Sequence, residues 1–364
     1  MLKIENHNKT LKEFNFIDLF AGIGGFHYAL ESFGAKCVFA SEIDEKASKV
    51  YELNHHIKPK GDITKIKEKE IPKHDILCGG FPCQAFSISG KQKGFEDTRG
   101  TLFFDIARIV DYHRPKILFL ENVKNFVRHD NGNTLKTVIE TLESLNYEVF
   151  YKVLNTSGFG LPQNRERIYI VGFNKNEFED IKFSFPNPNL FSSLEEILES
   201  TPYNAKIIER EDISIYKEYK PTKNLFNEID LPNKPIQIGK VNKGGQGERI
   251  YHPSGHAITL SAYGGGVGSK TGLYKINGVI RKLSPRECAR IQGFPENFIL
   301  PKSTTEAQKQ FGNSVSINTL QFILKEISNT ILHNDRKSRV RLTDSQEWIQ
   351  EREGYSSKIQ QLAN

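Results

Sequence analysis

The sequence predicts an α/β protein built on a doubly wound, mostly parallel sheet, with a smaller second domain inserted toward its C-terminal side. Two observations favour this class. In the first half of the 364-residue chain, short and continuously apolar runs alternate with stretches of helical periodicity, and such runs are typical of parallel strands covered on both faces. Near residue 184 the alternation gives way to a proline- and asparagine-rich stretch and then to glycine-rich sequence, which indicates a change of domain.

Four apolar runs are expected to form buried strands, with helices between them. The runs are NFIDLF (15–20), KCVFAS (36–41), DILCGG (75–80) and KILFLEN (116–122). An additional short strand is expected to end at Asp62, which makes DILCGG the fourth strand in chain order. Ligands of such open sheets bind beyond the carboxyl ends of the strands, so the residues at those ends are the candidates for function.

Three stretches have the periodicity of helices. In NTLKTVIETLESLN (133–146), apolar residues recur at intervals of three and four and mark one helix face. TLFFDIARIVDYH (101–113) is a second helix and ends before Pro115, because a residue that precedes proline disfavours helical geometry. SINTLQFILKEISNTIL (316–332) is a third. This alternation of strands and helices supports the doubly wound sheet.

Composition restricts the class of protein. The chain is 37% hydrophobic and 26% charged, with no apolar run of membrane-spanning length and no signal-peptide pattern at its polar start. We therefore expect a cytoplasmic protein. The formal net charge is +6, from 50 basic and 44 acidic residues, which permits a polyanionic partner without requiring one.

Cys83 begins a polar, glycine-studded stretch within GGFPCQAFSISGKQKGFEDTRG (79–100). A buried core thiol, half of a disulfide and a metal ligand are three structural explanations for it. The chain's four cysteines form no CxxC pair, so neither a zinc site nor a disulfide framework is expected, and no metal is predicted. A buried core thiol stays open beside a fourth, functional explanation, which is a nucleophile favoured by nearby cationic groups or a helix N-terminus.

The stretch DLFAGIGGF follows the first predicted strand and begins a helix, so its backbone can approach a ligand closely. It departs from the dinucleotide pattern GxGxxG, because Gly22 and Gly24 match the first two glycines but His27 replaces the third. Glu42 ends the second strand, where a carboxylate accepts ribose hydroxyls.

Two further residues suit the base of a nucleoside. The carboxylate of Asp62 can accept a hydrogen bond from an adenine amino group, and Phe20 can offer an aromatic ring. A ribose-and-adenine ligand without strong phosphate contacts indicates S-adenosylmethionine rather than NAD. The structural alternative for the same residues is a tight turn with solvated acids.

Glu121 ends the strand KILFLEN, and Arg165 and Arg167 lead into another strand in QNRERIYIVG (163–172). The spacing of two directs both arginines to one face, where they can hold a carbonyl, a phosphate or Glu121; a structural ion pair is the alternative. A cysteine beside a carboxyl group suits a substrate that a thiolate attacks while an acid protonates it. Cytosine fits, because attack at C6 with protonation at N3 makes C5 a carbon nucleophile toward a sulfonium methyl group.

Six blocks occur in an order typical of one enzyme family. They are FIDLFAGIGGF, GFPCQAFSISG, ENV, QNRERIYIVG, RKLSPRECARIQGFP (281–295) and QFGNSVSIN (310–318). Together they resemble the bacterial DNA (cytosine-5)-methyltransferases over almost the whole chain, with the nearest match to the HhaI-type restriction-modification enzymes. The resemblance implies a Rossmann-like methyltransferase fold, S-adenosyl-L-methionine as cofactor with S-adenosyl-L-homocysteine as product, and double-stranded DNA as partner.

The resemblance also implies individual roles. Cys83 is implied as the nucleophile, Glu121 as the group that binds N3 and the amino group of a flipped cytosine, and the two arginines as braces for the base and Glu121. The implied cofactor-binding residues are Phe20, Gly22, Gly24, Glu42, Asp62, Pro82, Leu102 and Asn313. The implied DNA contacts are Ser87, Ser89, Lys91, Gln92 and Arg99 in a lid-like loop, and Gln246, Arg249, Thr259, Ser261, Tyr263 and Gly266 in a reading domain.

On this basis the chain divides into five segments. They are a catalytic, S-adenosylmethionine-binding domain (1–190), a target-recognition domain (191–284), a hinge (285–312), a C-terminal helix that returns to the catalytic domain (313–334) and an extension without an assigned role (335–364).

The target that the resemblance implies is GCGC. Gln246 matches the residue that fills the space left by a flipped base, and Arg249 is placed to read guanine. Some positions depart from the close relative. Ile43 stands where the relative has an aromatic residue that stacks on adenine. The other departures are His252, Pro253, Ser254 and His256, so flanking or altered recognition stays open.

Three other functions compete with this one. An RNA cytosine-5 methyltransferase uses the same fold, but the long inserted reader argues against it. A catalytically silent DNA-binding regulator has no use for Cys83, Glu121 and the arginines, and a nicotinamide dehydrogenase leaves Cys83 without a role. Because one chain carries every required part, we expect a monomer. Whether a cognate restriction endonuclease shares the site, without being a stable subunit, stays open.

Overall fold

The computed structural model describes residues 10–82, 102–216, 218–219 and 233–334. Its central sheet has six strands in the order β2-β1-β3-β4-β6-β5. They are β1 (Asn15–Leu19), β2 (Lys36–Ser41), β3 (Ile76–Gly80), β4 (Ile117–Val123), β5 (Tyr147–Asn155) and β6 (Glu166–Asn174). The first four strands pair in parallel, whereas β6 pairs antiparallel with β4 and β5. The predicted mostly parallel sheet is confirmed.

Helices cover both faces of this sheet. They are α1 (Gly25–Ser32), α2 (Glu45–His55), α3 (Leu102–His113), α4 (Asn133–Ser144), α5 (Pro285–Ile291), α6 (Thr304–Asn313) and α7 (317–334). Along β4, Leu118 and Leu120 pack with α3 and α4, while Phe119 between them packs with α1 and α7. A strand whose successive side chains enter two separate cores must be apolar throughout, which explains the continuous run KILFL.

The strand expected to end at Asp62 is absent, and that prediction was wrong. Asp62 instead begins a single 3-10 turn, Ile63–Lys65. Its Oδ1 accepts hydrogen bonds from the backbone N of Thr64 at 3.1 Å and from Oγ1 of the same residue at 2.8 Å. An aspartate that bonds the backbone two residues ahead favours a turn over a strand. DILCGG is therefore the third strand, not the fourth.

A second sheet of five strands lies between the central sheet and α5 in the sequence. Its order is β11-β10-β9-β8-β7, with β7 (Ser214–Ile215), β8 (Ile236–Lys240), β9 (Arg249–His252), β10 (Leu273–Ile276) and β11 (Val279–Arg281). It has a small apolar core of its own that includes Ile238 and Ile250. Tyr251 of β9 and Tyr274 of β10, however, pack in the same cluster as Phe119 of the central sheet, so the two sheets share part of their core.

The segment expected to be a hinge, 285–312, contains α5 and most of α6. Ser284 caps α5 by accepting a hydrogen bond from Glu287, and Ser303 caps α6 by accepting one from Glu306. Phe311 is fully buried in the cluster that also contains Phe119. Movement of this segment as a hinge stays a prediction.

Among the described residues, no helix has the length and apolar character needed to cross a membrane.

Candidate active site

A cavity of about 460 Å³ lies beyond the carboxyl ends of β1 to β4, within the size range of about 300–1,000 Å³ that is usual for ligand pockets. It brings together most of the predicted site residues in the described part of the chain. Those that line it are Phe20, Gly22, Glu42, Asp62, Pro82, Leu102, Glu121, Arg165, Arg167, Tyr263 and Asn313. The residues expected to hold a nucleoside and those expected to act on a base therefore share one cavity.

The glycine-rich turn between β1 and α1 forms one wall of the cavity. Gly22 has a φ of +55°, and a β-carbon at this position would meet no atom within 4 Å. Its backbone N donates a hydrogen bond to Oε2 of Glu42 at 2.7 Å. The glycine thus satisfies a left-handed turn and leaves open space where a ligand can approach the backbone.

Gly24, also predicted to contact the cofactor, does not line the cavity. Its φ is +87°, and a β-carbon here would lie 2.0 Å from Nε2 of His55. The ring of His55 stacks on that of His27 with centroids 3.9 Å apart. Gly24 therefore allows α2 to pack closely against the turn, which is a structural role.

Glu42 is held in place by two backbone groups, one for each carboxylate oxygen. Oε2 accepts from Gly22, and Oε1 accepts from the backbone N of Asp44 at 2.7 Å. Burial raises the pKa of Glu42, although these hydrogen bonds oppose that shift. Each oxygen retains acceptor capacity, so a pre-oriented carboxylate faces any hydroxyl groups that enter the cavity.

Asp62 differs from Glu42 because its side chain is engaged in its own turn. The hydrogen bond from the Thr64 hydroxyl lowers the pKa of Asp62 and keeps it ionised. With Ile63 and Phe20 also in the lining, this side of the cavity combines a carboxylate with apolar surface. That combination suits a heteroaromatic ring that bears an amino group.

The acid group at the tip of β4 is Glu121. Nε of Arg167 lies 3.0 Å from its Oε1, and a β-carbon on Gly80 would lie 3.2 Å from its Oε2. Burial raises the pKa of Glu121, and the two arginines only partly offset this effect. Next to it, Asn122 donates from Nδ2 to the carbonyl of Phe81 at 2.8 Å, which ties the tip of β4 to the residue before Pro82.

Arg165 has different partners from Arg167, although their spacing suggested a common role. Its side chain is 2% exposed. Nη1 donates to the carbonyl of Leu260 at 3.1 Å, and Nη2 donates to the carbonyls of Gly312 and Ser314 at 3.2 and 2.6 Å. Arg165 thus joins β6 to two distant chain segments, while Arg167 alone forms an ion pair with Glu121.

Comparison with known proteins identifies the family to which these features belong. Residues 14–329 match the C-5 cytosine-specific DNA methylase family. The chain belongs to this family. It is 53% identical over 331 residues to the type II methyltransferase M.HhaI of Haemophilus parahaemolyticus, an alignment that covers 90% of this chain and 98% of that protein.

Two further comparisons place the methylase among its relatives. It is 46% identical to the type II methyltransferase M.HpaII of Haemophilus parainfluenzae, over 88% of this chain and 91% of that one. The solved structure of the S. pombe Dnmt2 methyltransferase superposes with a TM-score of 0.60 at 21% identity, and covers 85% of the methylase and 97% of that chain. At this identity the superposition shows a common fold. The resemblance inferred from the six sequence blocks is confirmed.

The predicted nucleophile of the methylase and its loop lie outside the described residues. These positions are Cys83, Ser87, Ser89, Lys91, Gln92 and Arg99. The described chain reaches Pro82 on one side and resumes at Leu102 on the other, and both of these residues line the cavity.

The predicted DNA-reading residues of the methylase fall into two groups. Gln246 and Gly266 lie on glycine-rich segments that contact each other, since a β-carbon on Gly266 would be 2.9 Å from the carbonyl of Gly247. Arg249 is exposed on β9 near them. The other group adjoins the cavity.

In that second group, Tyr263 lines the cavity and is 75% exposed, and the hydroxyl of Ser261 donates to its carbonyl. Thr259 donates from Oγ1 to the carbonyl of Asn164. Its hydroxyl therefore holds the reading segment (residues 259–263) against Asn164, the residue before Arg165.

Several residues that line the cavity of the methylase were not predicted from the sequence, notably Asp44, Lys309 and Gln310. Asp44 is the N-cap of α2, and Lys309 and Gln310 lie on α6. The pattern STTE (303–306) has the sequence signature of a capping box and signals a helix ahead of QFGNS. That signal would have placed Lys309 and Gln310 one turn before the predicted cofactor residue Asn313.

Among the described residues, His27, Glu31 and His55 form a group with potential metal-ligating atoms within 4.8 Å of one another. The two imidazole rings, however, are stacked at an interplanar angle of 25°. The lone pairs of imidazole nitrogens lie in the ring plane, so stacked rings direct them side by side rather than toward a common ion. We assign no metal to this group.

Proposed function

We propose that the methylase is a type II modification enzyme that methylates C5 of a cytosine flipped out of duplex DNA, with S-adenosylmethionine as methyl donor. The observation that carries this proposal is one cavity with Glu42 and Asp62 at its nucleoside side and the Glu121–Arg167 pair at the tip of β4. The names of M.HhaI and M.HpaII, both type II methyltransferases, support the same assignment.

The cavity fits the cofactor in three respects. The turn at Gly22 leaves open space beside the backbone, Glu42 is oriented to accept the two ribose hydroxyls, and Asp62 is an ionised acceptor for the adenine amino group. The bound cofactor supplies an electrophilic methyl group on a sulfonium. Exposed Ile43 (71%) takes the place where an aromatic ring would stack on adenine, and contributes an apolar contact instead.

The proposed chemistry distributes two tasks between Cys83 and Glu121. The Cys83 thiolate bonds to C6 of cytosine, and protonated Glu121 donates its proton to N3, so that the electrons of the C5–C6 bond become available at C5. After C5 has gained the methyl group, the C5 proton passes to a water molecule, and the electrons of the broken C–H bond restore the C5–C6 double bond and expel the thiolate. N3 returns its proton to Glu121, whose orientation Arg167 maintains.

The target base must leave the helix to reach this cavity, at a cost of a few kcal/mol. We assign Gln246 to the vacated space and Arg249 to guanine recognition, and we propose GCGC as the site. The departures at 252–256 support unaltered recognition, because His256 and Ser254 are buried and the Ser254 hydroxyl donates to Glu195 at 2.9 Å. The Ser254 hydroxyl is thus engaged within the protein, and the fully buried His256 ring is not presented to flanking bases.

Duplex DNA with 5-fluorocytosine at the target position tests the whole proposal. Fluorine at C5 prevents the final elimination, so a covalent enzyme–DNA complex should survive denaturation when S-adenosylmethionine is present. We expect this complex on GCGC duplexes and not on matched duplexes with GGCC. Cys83→Ala should bind the same DNA without forming the adduct.

Other results would each overturn a separate part. An adduct at a different sequence would retain the chemistry and exclude GCGC. An adduct with fluorinated transfer RNA but not with DNA would make the enzyme an RNA methyltransferase. DNA binding without any adduct would favour a silent regulator, and an adduct formed by Cys83→Ala would exclude Cys83 as the nucleophile.

Since all required groups lie in one chain, we propose a monomer, which sedimentation would test.

A further inference from the structure

Helix α6 forms part of the cavity wall, and an ion pair made by its Lys309 connects it to the segment that carries Glu42. Nζ of Lys309 lies 3.0 Å from Oδ2 of Asp44. Both residues line the cavity, and their side chains are 28% and 35% exposed. The pair is thus partly shielded from solvent and spans two elements that are distant in sequence.

Asp44 transmits this contact to the residue proposed to hold the ribose. Its Oδ1 caps α2 by accepting from the backbone N of Lys46 and of Ala47, which leaves Oδ2 for Lys309. The backbone N of Asp44 donates to Oε1 of Glu42 at 2.7 Å. A displacement of Asp44 would therefore change the orientation of the Glu42 carboxylate.

The opposite end of the connection is anchored independently of Lys309. The carbonyl of Gly312 accepts from Arg165, and a β-carbon on Gly312 would lie 2.4 Å from the backbone carbon of Ser261, which shows how closely α6 approaches the reading segment. Near the start of α6, the carbonyl of Thr305 accepts from Nζ of Lys270 at 3.2 Å. Loss of the Lys309 ammonium group therefore leaves α6 in place.

We propose that Lys309 is a positioning residue, whose ion pair with Asp44 holds the Glu42 segment against α6 and thereby raises the affinity for S-adenosylmethionine. The inference rests on the proposed use of this cavity as the cofactor site. Lys309 acts through Asp44 and Glu42 and has no part in the bond-making steps.

The expected effect is modest and depends on salt. An ion pair of this exposure contributes up to about 1 kcal/mol, which corresponds to about fivefold in a dissociation constant. Because screening weakens partly exposed pairs, the contribution should decrease at high ionic strength. The rate at saturating cofactor should not change, since the pair does not contact the reacting atoms.

Calorimetric titration of the full-length protein with S-adenosylhomocysteine tests the proposal. Lys309→Met should raise the dissociation constant about fivefold at low ionic strength and little at high ionic strength. Asp44→Asn keeps an oxygen for the α2 cap and should have the same effect. The double variant should be no weaker than either single variant, and Lys309→Arg should restore most of the affinity. In steady-state assays the KM for S-adenosylmethionine should rise without a change in kcat.

The matched control is Lys46→Met. Lys46 pairs with Glu306 of the same helix at 3.3 Å, but its side chain is 71% exposed and does not line the cavity, so the dissociation constant should be unchanged. Equal weakening by Lys46→Met, additive effects of Lys309→Met and Asp44→Asn, or no effect of either would overturn the proposal. If the wild-type protein fails to bind S-adenosylhomocysteine, the proposed cofactor site itself is wrong, and this result is distinct from all the others.

Discussion

Nε of Arg167 lies 3.0 Å from Oε1 of Glu121, at the tip of β4 and inside the cavity. The guanidinium group alone would favour the ionised carboxyl, but burial outweighs it and raises the pKa of Glu121. The position of Glu121 therefore has two consequences. Arg167 fixes the direction of the carboxyl group, and burial favours the protonated form that a proton donor to N3 requires.

Replacement of Glu121 should affect chemistry and not binding. Glu121→Gln keeps the shape and a hydrogen-bond donor but cannot transfer a proton, so we expect the single-turnover methylation rate to fall by about 10²–10⁴-fold. The dissociation constants for DNA and cofactor should change by less than about twofold, which corresponds to well below 1 kcal/mol. Glu166→Gln is the control, since Glu166 lies nearby on β6 in an exposed pair with Lys124. An unchanged single-turnover rate in Glu121→Gln would remove Glu121 from the mechanism.

The pH profile should report the balance between burial and Arg167. With Glu121 as the acid, the rate should be highest when its carboxyl is protonated and should decrease as pH rises through its pKa. Arg167 lowers that pKa, so Arg167→Met should raise it further. The basic limb of the single-turnover profile should then move to higher pH, while the maximal rate decreases because the carboxyl is less well oriented. A shift to lower pH would contradict this account.

Arg165 should matter for stability more than for chemistry. Arg165→Met leaves the carbonyls of Leu260, Gly312 and Ser314 without their donor in a buried site, and we expect a loss of about 2–4 kcal/mol in the free energy of unfolding. Urea titration followed by circular dichroism measures it. Arg210→Met removes an exposed pair with Asp212 and should leave stability unchanged. Equal stability of Arg165→Met and the wild type would show that the three carbonyls do not depend on Arg165.

The sequence predicted β1 to β4 well because these strands are mostly buried, whereas β5, most of whose residues are exposed or half-buried, was not expected. The continuous runs that end at Phe20, Ser41 and Gly80 leave no alternative period, and the site residues follow from their position at or after the ends of those strands. The strand at Asp62 failed for a local reason. The aspartate bonds its own backbone two residues ahead, and this turn competes with a strand of few apolar residues.

Contacts between distant segments could not be predicted from spacing. Lys309 and Asp44 are 265 positions apart, and neither stands in a pattern that indicates the other. Arg165 and Arg167 share a spacing of two, which predicted a common face but not their different partners. Such differences arise from the packing of α6 and the reading segment against β6, which only the folded chain defines.

The reading domain allows a prediction about specificity. Arg249 is exposed on β9 and is assigned to guanine, so Arg249→Ala should reduce discrimination between GCGC and single-substituted sites by about 1–3 kcal/mol. The slope of log affinity against log salt should stay the same. Lys243→Ala is the variant for comparison, since Lys243 is exposed in the loop between β8 and β9. If Lys243 contacts a phosphate, its loss should reduce that slope by about one and weaken binding to all sequences equally. Equal weakening at all sites by Arg249→Ala would make Arg249 a phosphate contact.

Alanine substitutions of Gly22 and Gly24, in the turn between β1 and α1, should differ in their effects on stability and cofactor binding. A β-carbon on Gly22 would meet no atom, so Gly22→Ala should cost about 1–2 kcal/mol of stability from its left-handed backbone and should also weaken cofactor binding. A β-carbon on Gly24 would lie 2.0 Å from Nε2 of His55, so Gly24→Ala adds an overlap in a packed region and should cost about 1–3 kcal/mol more.

The Gly24 prediction can be isolated by a double-mutant cycle with His55→Ala, measured by urea unfolding. His55→Ala removes the ring that the new methyl group would strike, so the double variant should be more stable than the sum of the two single effects implies, by about 1 kcal/mol or more. His56→Ala, at the exposed C-cap of α2, is the control and should show no coupling to Gly24→Ala. Strict additivity with His55→Ala would mean that backbone strain alone, and not the approach of α2, requires glycine at position 24.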